Sequence, residues 1–339
     1  MVDGIRGPYP VVRCVAAATD RARMSGPTAR PEGSPDTTAA VMLVLTAAFF
    51  GATWVAAPWA THEIPPMVVA CVRFATAAVL LFGWCRLRGI PIPLRRADVP
   101  IVIGVTATSV VGYNVLFLYG ITLAPASHGA VITPGLIPVF TLLLGRLLYR
   151  ESIRWRQALG VLICLLGLAL VVGPVFAGDP AALAGDALYA VSALLWATYT
   201  ILGRKVTLRF HVAAITCLSG ALGALVFLPL GLLDPVGFGA LATASPRALA
   251  GLAYLGSLGT AVGFVLFYLG VQRIGSARAS AYSVLIPLFG VSLTVPILGE
   301  SLAPISIVGA AIVIAGLWLT QSRPAAPREE AAAAPAGVP

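Results

Sequence analysis

The sequence predicts an all-α integral membrane protein whose ten transmembrane helices form two inverted five-helix repeats. Hydrophobic residues make up 59% of the 339 positions and charged residues only 10%, whereas a soluble domain carries about 25% charged residues. The chain also holds about ten apolar runs, each near the ~20 residues that a spanning helix needs. A long internal repetition and a one-sided distribution of basic residues complete the prediction.

The connections between the apolar runs are short, so no soluble catalytic domain is expected. The predicted spans are, in order, residues 39–59, 66–85, 99–119, 127–149, 157–176, 186–203, 212–232, 248–270, 277–298 and 304–321. Residues 1–37 are polar and predict a disordered cytoplasmic tail, with Met24 as an alternative start. Residues 322–339 are rich in Pro and Ala and predict a second disordered tail.

The repetition is clearest between Ser127–Glu151 and Ser276–Glu300. One ungapped register places Pro138 on Pro287 and the two terminal glutamates on each other. In the next helix the same register aligns glycines, which predicts small faces for close packing within the bundle or at a dimer seam. These glycines are Gly160, Gly167, Gly309 and Gly316. The predicted repeats are residues 38–176 and 185–321.

The basic residues predict the orientation. With the N-terminus inside, the outward loops hold only Arg247. The inward loops hold Arg86, Arg88, Arg95, Arg96, Arg150, Arg154, Arg156, Arg204, Lys205, Arg209, Arg273 and Arg278. This bias predicts two cytoplasmic termini, and it accounts for the net charge of +9 without any nucleic-acid partner. The preference for Arg over Lys and the abundance of Ala and Gly favour a bacterial inner membrane. Five spans in each half turn the second repeat upside down, an arrangement that places transporter sites near the midplane.

Several of these features resemble the ten-helix EamA-type exporters of the drug/metabolite transporter superfamily. They are the Ser start, internal Pro and terminal Glu of spans four and nine, the Arg73-Phe74 pair of span two, and Trp196 of span six. The resemblance covers residues 39–321 and implies export of small metabolites, amino acids or drugs. Span one departs from the family pattern, with Phe50-Gly51 in place of Trp-Gly and Pro58 where a basic residue is frequent.

Polar and aromatic residues inside the spans are the candidate substrate-binding residues. An unsatisfied amide is costly in lipid, so Asn114 is expected to face the interior. Arg73 is interpreted as the only charge well inside a span; it either anchors a substrate carboxylate or pairs with Glu63 at the outer mouth. The predicted pocket consists of Trp54, Arg73, Tyr113, Asn114, Trp196 and Tyr282.

Other residues have both a functional and a structural interpretation. Pro138 and Pro287 are either paired hinges or fixed kinks. Glu151 and Glu300 stand at helix ends, where pairing with arginine or capping of the next helix is expected. His128, at the start of span four, is either a proton relay or an interfacial polar residue.

The function predicted from these residues is secondary transport, namely export of a small organic solute by alternating access. No GxxxxGK[ST] loop occurs, so direct ATP use is not supported, and coupling to protons or to a counter-substrate stays open. The alternative is a lipid or lipid-linked-sugar translocase. An intramembrane enzyme is not favoured because His and acidic residues do not cluster, and a purely structural scaffold is the last alternative. The expected partners are the substrate, the bilayer and, by the glycine faces, a second copy; no metal or other cofactor is expected.

Overall fold

The computed structural model describes residues 36–92, 98–150, 153–176, 179–206, 211–274, 279–300 and 303–321, and within these ranges it is helical without any strand. Ten apolar helices follow one another. They are α1 Thr37–Thr61, α2 Pro66–Leu87, α3 Val99–Leu123, α4 Ala126–Tyr149, α5 Trp155–Phe176, α6 Pro180–Val206, α7 Val212–Leu232, α8 Pro246–Ile274, α9 (a 3-10 turn Ser280–Val284 and an α-helix Leu285–Leu298) and α10 Pro304–Gln321. The predicted all-α membrane fold is confirmed.

The predicted spans agree with these helices at most boundaries. The main difference is α6, which begins at Pro180 rather than at residue 186. The predicted tails 1–37 and 322–339 lie outside the described residues, apart from Asp36 and the Thr37 with which α1 begins. Glu151 also lies outside the described residues.

Successive helices cross the bundle in alternate directions. We call the end that holds the connections after α1, α3, α5, α7 and α9 the acidic end, because Glu63, Asp179, Asp234 and Glu300 lie there. The other end is the arginine-rich end. Four helices that begin at the acidic end have proline as their first residue. Proline is tolerated there because the N–H of a first helical residue has no hydrogen-bond partner within the helix. These prolines are Pro66, Pro180, Pro246 and Pro304.

Equivalent helices of the two halves pack on each other. α2 packs on α7, α4 on α9 and α5 on α10. The α5–α10 contact depends on the predicted glycine faces: a Cβ on Gly167 would lie 2.7 Å from the Gly309 carbonyl oxygen, and one on Gly160 would lie 2.8 Å from the Gly316 carbonyl oxygen. Close backbone approach of this kind stabilises membrane helix pairs. These faces therefore pack within the chain, and they do not supply the predicted dimer seam.

Two helices, one in each half, contain a π-helical segment. In α3 it is Thr106–Gly112, and in α8 it is Ser257–Val262. A π segment interrupts the regular i→i−4 ladder and is frequently found at functional sites. Because both segments lie in the middle of their helices, they bring irregular backbone to the interior of the bundle, where membrane proteins tolerate it.

The ends of α4 and α9 also correspond. Arg150 (φ 55°) follows α4 and Gly299 (φ 70°) follows α9, and both adopt the left-handed conformation that commonly ends a helix. Such a residue reverses the chain direction sharply. At the acidic end this turn places the next residue, Glu300, beside the start of α4.

The two aligned prolines differ in their local structure. Pro138 lies inside α4 together with Pro134. Pro287, which is buried, lies in the first turn of the α-helical part of α9, directly after the 3-10 turn Ser280–Val284. The expectation of a mid-helix kink at Pro287 is therefore wrong, because proline in a first turn removes no α-helical hydrogen bond.

The α5–α10 contact predicts a stability effect that can be measured. Gly167→Ala is expected to destabilise the purified protein by roughly 1–3 kcal/mol, since the methyl group would meet backbone atoms that cannot move away freely. Gly83→Ala is the matched control, because nothing lies within 4 Å of a Cβ at that position in α2. Thermal unfolding in detergent compares the two variants, and equal melting temperatures would contradict the packing account.

Candidate functional site

Arg73 of α2 is a buried cation with two neutral partners. Its side chain is 8% exposed. Nε donates to Thr260 Oγ1 at 3.1 Å, and Nη1 donates to Asn114 Oδ1 at 3.1 Å. Among the described residues no carboxylate forms an ion pair with it. A buried cation of this kind is costly unless something compensates its charge.

Glu63, the predicted partner of Arg73, lies elsewhere. Its carboxylate accepts hydrogen bonds from the backbone N–H and from the hydroxyl of Ser245, both at 2.6 Å. The pairing of Glu63 with Arg73 is therefore wrong. The two residues are at different depths. Glu63 lies in the connection after α1, where Ser245, the residue before α8, binds it, whereas Arg73 lies two turns inside α2.

Both acceptors of Arg73 lie at the π segments: Asn114 bonds carbonyls of the α3 segment, and Thr260 belongs to the α8 segment and bonds a carbonyl two residues before it. Asn114, which is 2% exposed, donates from Nδ2 to the carbonyls of Val110 (2.8 Å) and Ser109 (3.3 Å). The Thr260 hydroxyl donates to the Leu255 carbonyl at 2.7 Å, so its lone pair is free to accept from Arg73. Backbone carbonyls of α3 and α8 thus fix the two groups that hold the guanidinium. The side chain of Asn114 faces the interior, as expected.

An aromatic series extends from Arg73. The guanidinium carbon lies 5.3 Å from the Phe74 ring centroid and 6.0 Å from that of Phe117, within cation–π range. Phe117 stacks on Tyr113 (centroids 5.7 Å apart) and meets the Trp54 ring edge-on at 4.8 Å. Trp196 lies 4.9 Å from Tyr113. We call this group the Arg73 site, and it comprises Trp54, Arg73, Phe74, Tyr113, Asn114, Phe117, Trp196 and Thr260.

Five of the six predicted pocket residues belong to this site, and Tyr282 does not. Tyr282 instead lines a small apolar cavity of about 20 Å³, shared with Phe50, Phe267 and Ile286. That volume is about enough for one water molecule. Sequence reasoning missed Phe117 and Thr260, because an apolar ring and a threonine in apolar spans carry no signal of their own.

The geometry of the Arg73 site suits a carboxylate. A guanidinium has five N–H donors in a planar fork, and the hydrogen bonds to Asn114 and Thr260 use Nε and Nη1. An incoming carboxylate can bind such a fork through two parallel hydrogen bonds. The rings of Trp54, Tyr113 and Trp196 offer apolar surface next to it.

A buried histidine–aspartate pair occupies another part of the interior. His128 Nδ1 in α4 lies 3.2 Å from both carboxylate oxygens of Asp186 in α6. The two residues are 6% and 4% exposed. Sequence reasoning missed Asp186 because it placed the start of span six at that residue. Residues 180–185 (PAALAG) are also helical, so α6 begins six residues before Asp186. The expectation that Arg73 is the only charge well inside a span is therefore wrong.

Glu300 binds the start of α4. Its carboxylate accepts hydrogen bonds from the backbone N–H groups of Ala126 (2.8 Å) and Ser127 (2.9 Å). These are two of the N–H groups that a helix start leaves unpaired, and the helix dipole also favours an anion there. Glu300 thus caps α4 across the pseudo-symmetry, rather than the following helix α10.

The comparisons with known proteins agree with this architecture. A family model described as the EamA-like transporter family matches residues 37–173 and again residues 183–321. A probable terminal-alkyne amino-acid exporter from Streptantibioticus cattleyicolor is 30% identical, over 78% of this chain and 84% of that protein. A probable amino-acid metabolite efflux pump from Escherichia coli is 22% identical, over 82% of this chain and 93% of that protein.

Two further comparisons concern an archaeal protein and a solved structure. An uncharacterized transporter from Archaeoglobus fulgidus is 27% identical, over 84% of this chain and 97% of that protein. One crystal structure superposes with a TM-score of 0.61 at 18% identity, covering 84% of this chain and 96% of that chain. At this identity the superposition shows the same fold.

The contact between Glu63 and Ser245 predicts a pH effect on stability. The two hydrogen bonds from Ser245 hold the pKa of Glu63 below its usual value. These hydrogen bonds therefore stabilise the folded protein fully when the pH is above the pKa of Glu63 in the unfolded chain, about 4.3. The stabilisation is lost as the pH falls through the lower pKa that Glu63 has in the folded protein. The melting temperature of wild type should exceed that of Glu63→Gln at neutral pH, and the difference should shrink in acid. A difference that stays constant with pH would contradict this account.

Proposed function

The chain belongs to the EamA-like transporter family, and we propose that it exports an amino acid or a closely related carboxylate with an apolar side chain, by alternating access. It is a multi-pass membrane transport protein and not an enzyme. The observation that supports the proposal is the buried guanidinium of Arg73, which has no carboxylate partner among the described residues.

The Arg73 site suggests how such a solute binds. Its carboxylate would pair with the guanidinium of Arg73, where low water content strengthens the attraction. Its apolar side chain would lie against Trp54, Tyr113 and Trp196, whose rings form continuous contacts. Two relatives named for amino-acid export support this substrate class.

Binding of the carboxylate also suggests how access alternates. Arg73 ties α2 to α3 through Asn114 and to the π segment of α8 through Thr260. A carboxylate competes with these two neutral acceptors for the same N–H donors. The hydrogen bond to Thr260 joins the first half of the bundle to the second. Its loss would favour movement of one half relative to the other, a rigid-body rearrangement of the kind that inverted repeats support. The proposed hinges are Pro138 inside α4 and, in α9, the junction between the 3-10 turn and the α-helix that holds Pro287.

The orientation follows from the charge of the loops. Arginine-rich connections stay in the cytoplasm, so the acidic end would face outward and both termini would be cytoplasmic. In a bacterium the protein would then lie in the inner membrane and move its solute from the cytoplasm toward the acidic end.

The test is a measurement of amino acids in the medium of cells that overproduce the protein. Truncating one partner of a buried charged interaction costs about 2–5 kcal/mol, so Arg73→Ala should reduce export by about tenfold or more. Asn114→Ala should reduce it less, because the guanidinium remains. Arg88→Ala is the matched control, since Arg88 lies at the arginine-rich end over the Trp84 ring, outside the site.

Export is quantified against cells that carry the empty vector, with each variant inserted at the wild-type level. Accumulation of an amino acid outside cells with wild type and Arg88→Ala, but not with Arg73→Ala, supports the proposal. Equal export by Arg73→Ala would contradict the role of the guanidinium. Wild-type medium that matches the empty-vector medium would contradict export of amino acids altogether.

A further inference from the structure

The buried pair His128 and Asp186 takes no part in holding the solute at the Arg73 site. We propose that these two residues bind the proton that exchanges for the exported solute. The inference rests on the proposed function, because a coupling proton requires a transported solute. It is carried by the geometry of the pair, by the charges around it and by its contacts with the Arg73 site.

The first step concerns charge balance within the pair. With one proton shared between imidazole and carboxylate, the pair is neutral overall, either as two opposite charges or as two neutral groups. Loss of that proton leaves an aspartate anion beside a neutral ring, both almost fully buried. A buried unpaired charge is costly. Release of the proton therefore favours a conformation in which water reaches Asp186.

The second step concerns the neighbouring groups: among the described residues, no cation is in salt-bridge or hydrogen-bond contact with Asp186 apart from His128 itself. Glu300 lies at the start of α4 with its carboxylate on Ala126 and Ser127. The Tyr189 hydroxyl of α6 donates to the Ala124 carbonyl at the end of α3. Asp179 bonds the first N–H groups of α6.

The remaining neighbours of α4 add no charge, because α5 and α10 carry no ionisable side chain toward the acidic end in their sequence. Arg73 is separated from the pair by the rings of Tyr189, Trp54 and Phe117. The proton is consequently the group that neutralises Asp186.

The third step connects the pair to the solute. Gly129 follows His128 directly, and its backbone packs against the rings of Trp54 and Tyr189 so closely that a Cβ would not fit. Trp54 and Tyr189 contact each other edge-on at 5.5 Å. A shift of the α4 start on loss of the proton would therefore displace Trp54, which forms one wall of the Arg73 site. Proton binding and solute binding would then bias the same movement.

Proteoliposomes test the proposal with ¹⁴C-labelled L-phenylalanine, a carboxylate with an aromatic side chain. Counterflow, in which labelled phenylalanine enters vesicles loaded with unlabelled phenylalanine, measures transport that needs no proton cycle. Accumulation into vesicles more acidic inside than outside measures coupling. Asp186→Asn is compared with wild type, and Asp179→Asn is the matched control, an exposed acid at the start of the same helix.

Wild type and Asp179→Asn are expected to show both activities. Asp186→Asn should lose accumulation driven by the pH difference while counterflow continues. Accumulation by Asp186→Asn at the wild-type level, or wild-type counterflow with no response to the pH difference, would overturn the inference and leave the proposed function intact. Absence of wild-type counterflow would contradict the proposed function, and the inference with it.

Two further outcomes are separated by size-exclusion profiles. Asp186→Asn that elutes as wild type but loses both activities would show a role other than coupling and would overturn the inference. Where Asp186→Asn fails to fold, His128→Asn takes its place, and the same loss of pH-driven accumulation with retained counterflow is expected. Failure of both variants to fold would assign the pair to stability and would also overturn the inference.

Discussion

A guanidinium held inside a membrane bundle, with no carboxylate partner in the part of the chain that the structure describes, is the constraint on which the rest of this structure depends. A charge at that depth is costly, so the surrounding fold has to compensate it. Here the compensation comes from an amide and a hydroxyl on α3 and α8, each fixed by a carbonyl of its own helix. Two neutral acceptors thus hold Arg73 and leave its positive charge available to an anionic group.

The two halves share a scaffold but not a site. Packing of α5 on α10, the left-handed residues that end α4 and α9, and the π segments of α3 and α8 all occur in corresponding places. The charged residues inside the bundle do not occur in corresponding places. α7, the counterpart of α2, has no Lys, Arg, Asp or Glu residue, so it does not repeat Arg73. The pair of His128 and Asp186 and the cap from Glu300 likewise gather on one side, at the start of α4. A symmetric frame thus carries an asymmetric set of charges.

Much of this could be predicted from the sequence, and the failures have identifiable physical causes. Hydropathy places helices well because lipid requires apolar residues over a fixed length. Hydropathy places the start of α6 too late, because residues 180–185 (PAALAG) are only mildly apolar. As a result, Asp186 is predicted at the end of a helix, whereas it lies inside one. Helix rotation is not encoded in a uniformly apolar pattern, so Tyr282 was grouped with residues that it does not meet. The π segments left no signal, because side-chain identity does not show a change of hydrogen-bond register.

The most direct measurement of the central claim is a comparison of two ligands that differ by one group. L-Phenylalanine and phenethylamine share the aromatic ring and the amine, but phenethylamine lacks the carboxylate. Calorimetric titration of the purified protein should detect binding of phenylalanine and much weaker binding of phenethylamine, and Arg73→Ala should remove that difference. Equal affinities of wild type for the two ligands would contradict the claim that the buried guanidinium recognises a carboxylate.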